Sequence, residues 1–146
     1  MAAMEPTLDR RPPTRRVRLR RILIVEPDEA WGSAMRLALE ERGYYLNLVR
    51  DPAEGCRRTR ERRYDLVIAS AGWGQIALRE ILEEAARTPS PPPALILAED
   101  GQLHDREALG VVPCLSILRR PCAVQDVVEA ARALAGDPWE EDRRRA

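Results

Sequence analysis

Short, mainly apolar runs alternate along this chain with stretches whose apolar residues return every three or four positions. The runs are RILIVE (21–26), YYLNLV (44–49), DLVIAS (65–70), ALILA (94–98) and CLSIL (114–118). A strand that is apolar throughout, with no in–out alternation, belongs in a sheet covered on both faces. The intervening stretches predict the covering helices. Asp28 caps the first, and Trp31, Ala34, Met35, Ala38 and Leu39 mark its inner face up to Gly43. DPAEGCRRTRERR (51–63) predicts a capped, weakly amphipathic helix, and IALREILEEAA (76–86) a strongly amphipathic one. LHDREAL (103–109) predicts a short helix and AVQDVVEAARALA (123–135) the last. Strand and helix in strict alternation imply an α/β fold: a single-domain, doubly wound (βα)5 unit with a parallel five-stranded sheet. Ligand sites in such sheets lie at the carboxyl ends of strands. That rule gathers Glu26, Ser70, Ala98 and the residues after Leu118 at one place.

Composition limits what surrounds this core. The 146 residues suit one domain, and 45% of them are hydrophobic. Phe is absent, so the core is built from Leu, Ile, Val and Ala. Residues 1–20, rich in Arg and Pro, read as a disordered tail; 21–136 read as the domain, and 137–146 as a polar tail in which Trp139 is the residue suited to docking. A formal net charge of zero disfavours nucleic acid as a partner. No apolar run is long enough to cross a membrane, and the amino terminus lacks a leader pattern, so the expected location is the cytoplasm. Cys56, Cys114 and Cys122 lack metal-type spacing and read as reduced thiols; no metal and no cofactor are expected.

The order of these segments resembles the receiver domain of bacterial two-component response regulators, a flavodoxin-like fold. The likeness runs over residues 21–135. It rests on the series ILIVE, a helix ending ERGY, then YDLVIAS, PALILAED and RRPCAVQDVVEAARAL. A working receiver carries a phosphate-accepting aspartate at the end of its third strand and two acids at the end of its first, which hold Mg²⁺. A hydroxyl residue ends the fourth strand, and a Lys before a Pro ends the fifth. The carboxylate attacks, the cation cancels charge, and the donors steady the phosphoryl oxygens.

This chain departs from that set almost everywhere. Glu26 fits the first acid, but Pro27 stands at the second, with Asp28 beyond it; Ser70 replaces the aspartate, Ala98 the hydroxyl residue and Arg120 the lysine. Ile117 stands at the usual aromatic switch position, and the loop AGWG after Ser70 is short. The resemblance therefore implies a pseudo-receiver with a degenerate phosphorylation pocket and no enzymatic activity. Such a module would act through protein–protein contact in a phosphorelay-related pathway, with a signalling or scaffold protein or a second copy of itself as partner.

Glu26 and Arg120 would form either a lasting internal ion pair or two solvated side chains. Asp28, Glu99 and Asp100 make the rim acidic, which reads as a solvated edge or as a loose cation site. Trp73 would plug the pocket, anchor a partner or pack. By likeness to the family, the interface would include His104, Arg106, Arg119, Cys122 and Gln125. Two other readings stand beside this one. The Arg-rich tail and the arginines of the second helix would serve a nucleic-acid-associated regulator. A receiver phosphorylated at a non-standard residue would use Ser70, which would need a base to activate it.

Overall fold

The computed structural model describes residues 17–103 and 109–141. In chain order the elements are β1 (Val17–Leu19), β2 (Arg21–Val25), α1 (Glu29–Arg42), β3 (Tyr45–Val49), α2 (Pro52–Glu61) and β4 (Leu66–Ser70). A single 3₁₀ turn (Ala71–Trp73) follows, then α3 (Gln75–Ala86), β5 (Ala94–Ala98), β6 (Leu115–Arg119), α4 (Val124–Ala135) and β7 (Trp139–Glu141). Five strands form one parallel sheet in the order β3-β2-β4-β5-β6. The expected α/β, receiver-like architecture is thus the observed one. The helix expected over residues 103–109 falls mainly on 104–108, outside the described residues; Leu109 is buried.

Sequence and packing agree where the sheet is thickest. Every residue of β4 and β5 is buried, because each lies between two strands and beneath helices on both faces. Alternate side chains divide into two cores. Leu23, Val67, Ala69 and Ile96 meet Leu78, Ile81 and Leu82 of α3, while Ile22, Ile24, Ile68 and Leu97 meet Met35 and Leu39 of α1 and Val127, Val128 and Ala131 of α4. Side-chain caps start α1 and α2. The Asp28 carboxylate accepts from Trp31 N at 3.0 Å, and Asp51 from Glu54 N at 2.9 Å. Gly43, at φ 109°, takes the left-handed cap that ends α1. Gly55 lies so near β2 that an added Cβ would stand 3.0 Å from Val25 Cγ2. The edge strand β6 is only half-buried over Leu115–Leu118.

The two ends depart from expectation. Val17–Leu19 and Trp139–Glu141, read from sequence as parts of polar tails, pair as an antiparallel ribbon, with Val17 opposite Glu141 and Leu19 opposite Trp139. Polar contacts fasten this ribbon to the domain. Arg20 N donates to Pro138 O at 2.7 Å and Arg20 Nε to Asp137 O at 3.1 Å. The Asp65 carboxylate accepts from Arg18 at 3.1 Å and from Arg21 N at 2.8 Å. Too few apolar residues marked these segments because main-chain pairing and charged hydrogen bonds hold them, not burial. Removing residues 1–16 is expected to change stability by no more than about 0.5 kcal/mol. Removing 137–146 discards the ribbon and its Arg20 contacts, and is expected to cost about 2 kcal/mol. Urea unfolding of both truncations checks this, and equal stabilities would show that the ribbon contributes nothing.

Candidate functional site

The carboxyl ends of β2, β4, β5 and β6 place the sequence-chosen residues together. Glu26 follows β2, Ser70 ends β4, Ala98 ends β5 and Arg120 follows β6. Glu26 is 1% exposed, and Ser70 and Ala98 are buried. The backbone fixes this arrangement: Glu26 N donates to Val49 O at 3.0 Å, and Arg120 N to Ala98 O at 2.9 Å. Pro27 is half-buried beside them. A methyl group on Gly72 would lie 3.8 Å from both Pro27 Cγ and Ser70 Oγ, so Gly72 covers this corner.

The polar centre is a triangle of Glu26, Ser70 and Arg120. Glu26 Oε2 accepts from Asp28 N at 3.0 Å. Among the described residues Glu26 Oε1 has no hydrogen-bond partner, and it lies 3.9 Å from Arg120 Nη1. Arg120 Nη1 also donates a long bond to Ser70 Oγ at 3.4 Å. Burial pushes the Glu26 carboxyl above its ordinary range, and the Asp28 amide and the Arg120 guanidinium oppose that push. The two charged groups thus stand within ion-pair range but beyond hydrogen-bonding distance, and Glu26 is not solvated. The Arg120 side chain is 21% exposed, so the pair sits at the edge of the core.

Sequence reasoning missed Trp31. The Arg120 guanidinium lies over its ring at 5.3 Å. Trp31 had counted only as one apolar position of α1. Its place in the first turn after the Asp28 cap, above the end of β2, was the signal that it could reach the site. Beyond Arg120 opens a cleft of about 480 Å³ lined by Trp31, Glu99, Asp100, Arg120, Pro121 and Cys122.

Other chosen residues lie apart from this centre. Trp73 packs half-buried against the α3-side core, which favours its packing role over that of a plug. Ile117 packs on the same core from β6, paired with Ile96. Arg119 is exposed and bridges to Asp100 at 3.3 Å. Gln125 is exposed and accepts from Arg42 at 3.4 Å. Cys122 is half-buried at the cleft, where burial raises its thiol pKa. His104 and Arg106 lie outside the described residues. The arginine stripe of α2 is matched by acids: Arg57 bridges to Glu54 at 2.6 Å, Arg58 to Glu54 at 3.2 Å and Arg60 to Glu84 at 3.4 Å.

These residues do not fit a magnesium ion. Mg²⁺ requires near-octahedral oxygen ligation. Pro27 offers no side-chain oxygen, the Asp28 carboxylate caps α1, and Arg120 already sets a cation against Glu26. Among the described residues, no group of three or more His, Cys, Asp or Glu side chains is placed to hold a metal ion. Likewise, no described helix is long and apolar enough to cross a membrane.

Comparison with known proteins places this geometry in a fold. No protein-family model matches the chain. A curated relative, an uncharacterized transcriptional regulatory protein from Bacillus subtilis, is 24% identical over 112 residues, covering 77% of this chain and 49% of its own. The chain thus spans about half the length of that relative. The receiver domain of a sensor histidine kinase from Pseudomonas aeruginosa PAO1, with a magnesium ion coordinated in its active-site cleft, superposes with a TM-score of 0.67 at 19% identity, covering 82% of this chain and 99% of that one. A putative response regulator from Chloroflexus aurantiacus gives 0.67 at 18% identity, covering 81% and 98%. A response regulator receiver domain protein from Clostridium thermocellum gives 0.65 at 24% identity, covering 80% and 94%. At these identities the likeness establishes the fold, which is that of response-regulator receiver domains.

Proposed function

We propose that this chain is a receiver-like signalling module that is not phosphorylated and acts by binding another protein. The carrying observation is that the end of β4 bears a buried serine, flanked by Glu26 and a guanidinium that contacts both. A hydroxyl in that position lacks the charge of a carboxylate nucleophile. The neighbouring Glu26 accepts from Asp28 N through Oε2, and its Oε1 stands 3.9 Å from the Arg120 guanidinium, which also donates to Ser70 Oγ. Arg120 supplies from within the cationic partner that a bound ion would otherwise bring. The pocket is therefore fixed in one state, and signalling rests on surfaces, not on a phosphorylation cycle. Partner identity and pathway would follow the two-component context that this fold suggests.

The test is chemical. Incubation with acetyl phosphate and Mg²⁺, followed by intact-mass measurement, is expected to show the unmodified mass alone. A phosphoryl adduct in good yield would overturn the proposal; if it mapped to Ser70, the non-standard receiver reading would replace it.

A further inference from the structure

The cations around the cleft beside Arg120 are already engaged. Arg120 faces Glu26 at 3.9 Å, donates to Ser70 Oγ at 3.4 Å and lies over the Trp31 ring. Arg119 bridges to Asp100 at 3.3 Å. Glu99 is different. Its backbone N–H donates to Gln102 Oε1, but among the described residues its exposed carboxylate has no partner. The mouth of the cleft therefore keeps an acid after its ion pairs are formed. Its volume of about 480 Å³ is that of a small binding site, and its walls are the Trp31 ring, Pro121 and Cys122.

A second observation concerns the wall itself. Glu26 is 1% exposed, and its Oε1, which faces the guanidinium lining the cleft, lacks a donor among the described residues. Trp31 Nε1, also buried, lacks an acceptor there. Buried polar groups are normally matched, so this wall has an unmet need for both. Glu26 draws the charge of Arg120 inward, and Glu99 and Asp100 stand outside it, so an anion is repelled at the mouth. An apolar ligand gains little, because Glu99, Asp100 and Arg120 make up much of the lining. A free inorganic cation carries no acceptor. A polypeptide with a basic side chain brings cationic donors, backbone carbonyls as acceptors, and methylenes that pack on an indole ring.

We propose that the cleft between the ends of β5 and β6 and the start of α1 receives a basic side chain, arginine or lysine, from a peptide segment of a partner protein, with Glu99 as its counter-charge. This rests on the reading of the chain as an unphosphorylated protein-binding module, and it names the chemistry of the partner. Arg119 limits the affinity, because it neutralises the second acid of the mouth, Asp100.

An NMR titration of the isotopically labelled full chain tests it, with acetyl-Gly-Arg-Gly-amide as the probe. The peptide is expected to shift the amide signals of Trp31, Asp100 and Cys122 saturably. The citrulline counterpart keeps the shape without the charge and should bind about fivefold more weakly. Glu99→Gln should weaken the arginine peptide about fivefold, and Arg119→Gln, which frees Asp100, should tighten it by about the same factor. Both side chains are exposed, so neither change touches the core, and opposite signs cannot come from a common loss of folding. Any one of four results overturns the proposal: no saturable shift at these residues, the citrulline or a glutamate peptide bound as tightly, free n-propylguanidinium bound as tightly, or affinity that does not move in opposite directions in the two variants. Such a failure without a phosphoryl adduct removes the partner chemistry alone, whereas an adduct removes the reading beneath it.

Discussion

Arg120→Met is expected to destabilise the protein by about 2 kcal/mol near pH 8 and by much less near pH 5. The variant removes the counter-charge 3.9 Å from Glu26 and leaves a carboxylate that is 1% exposed. Breaking a fully buried pair costs more; the partial exposure of Arg120 and the long contact reduce the loss here. The pH dependence follows from the direction of the Glu26 shift. Its folded-state pKa is raised by burial, so between the unfolded and folded values the native state binds more proton than the unfolded chain. Stability on this account is fully present below the unfolded value and is lost as pH rises through the folded one. Without Arg120, one of the effects opposing the upward shift disappears, so the fall with rising pH steepens. Urea unfolding of both proteins across this range measures it. A cost equal at both pH values would mean that Arg120 acts by packing on Trp31 rather than by charge.

Restoring the aspartate should harm the fold and leave phosphorylation absent. Ser70→Asp places a second carboxylate in a buried corner beside Glu26, with one guanidinium between them. Like charges and desolvation both raise carboxyl pKa values, so the variant is expected to lose about 3 kcal/mol near pH 8 and to recover as pH falls. Millimolar Mg²⁺ should not rescue it, because Pro27 still supplies no ligand. Thermal melts with Mg²⁺ and with a monovalent salt of equal ionic strength decide this. A rise in Tm specific to Mg²⁺, or a new phosphoryl adduct, would show that a single substitution separates this pocket from a working one and would refute the account of Arg120 as a built-in cation.

The parts of this molecule that were legible in sequence obey strong, local rules. ILIV, LVIA and LILA could be buried only as central strands, and the boundary rule then delivered Glu26, Ser70 and Ala98 to one place. Arg120 followed because it stands before a proline just after β6. What escaped depends on partners distant in sequence. Arg60 reads as a free charge until Glu84 of α3 arrives beside it. Trp31 reads as core until Arg120, 89 positions later, lies over it. The ribbon carries almost no apolar pattern, and each strand is meaningless without the other from the opposite end of the chain. Periodicity records burial, and these contacts are made by charge, stacking and backbone.

The ribbon also sets what this unit could be attached to. Because Val17 and Glu141 are neighbours, the domain enters and leaves through one doorway, at the pole away from Arg120 and its cleft. A unit with adjacent ends can be set into a surface loop of a larger host without prising that loop apart. Anything tethered to either end hangs below the sheet, about 17 Å of strand from the pocket. A partner reading the cleft side and a cargo carried on the ends would therefore not compete for space, and the sheet itself would be the spacer between them.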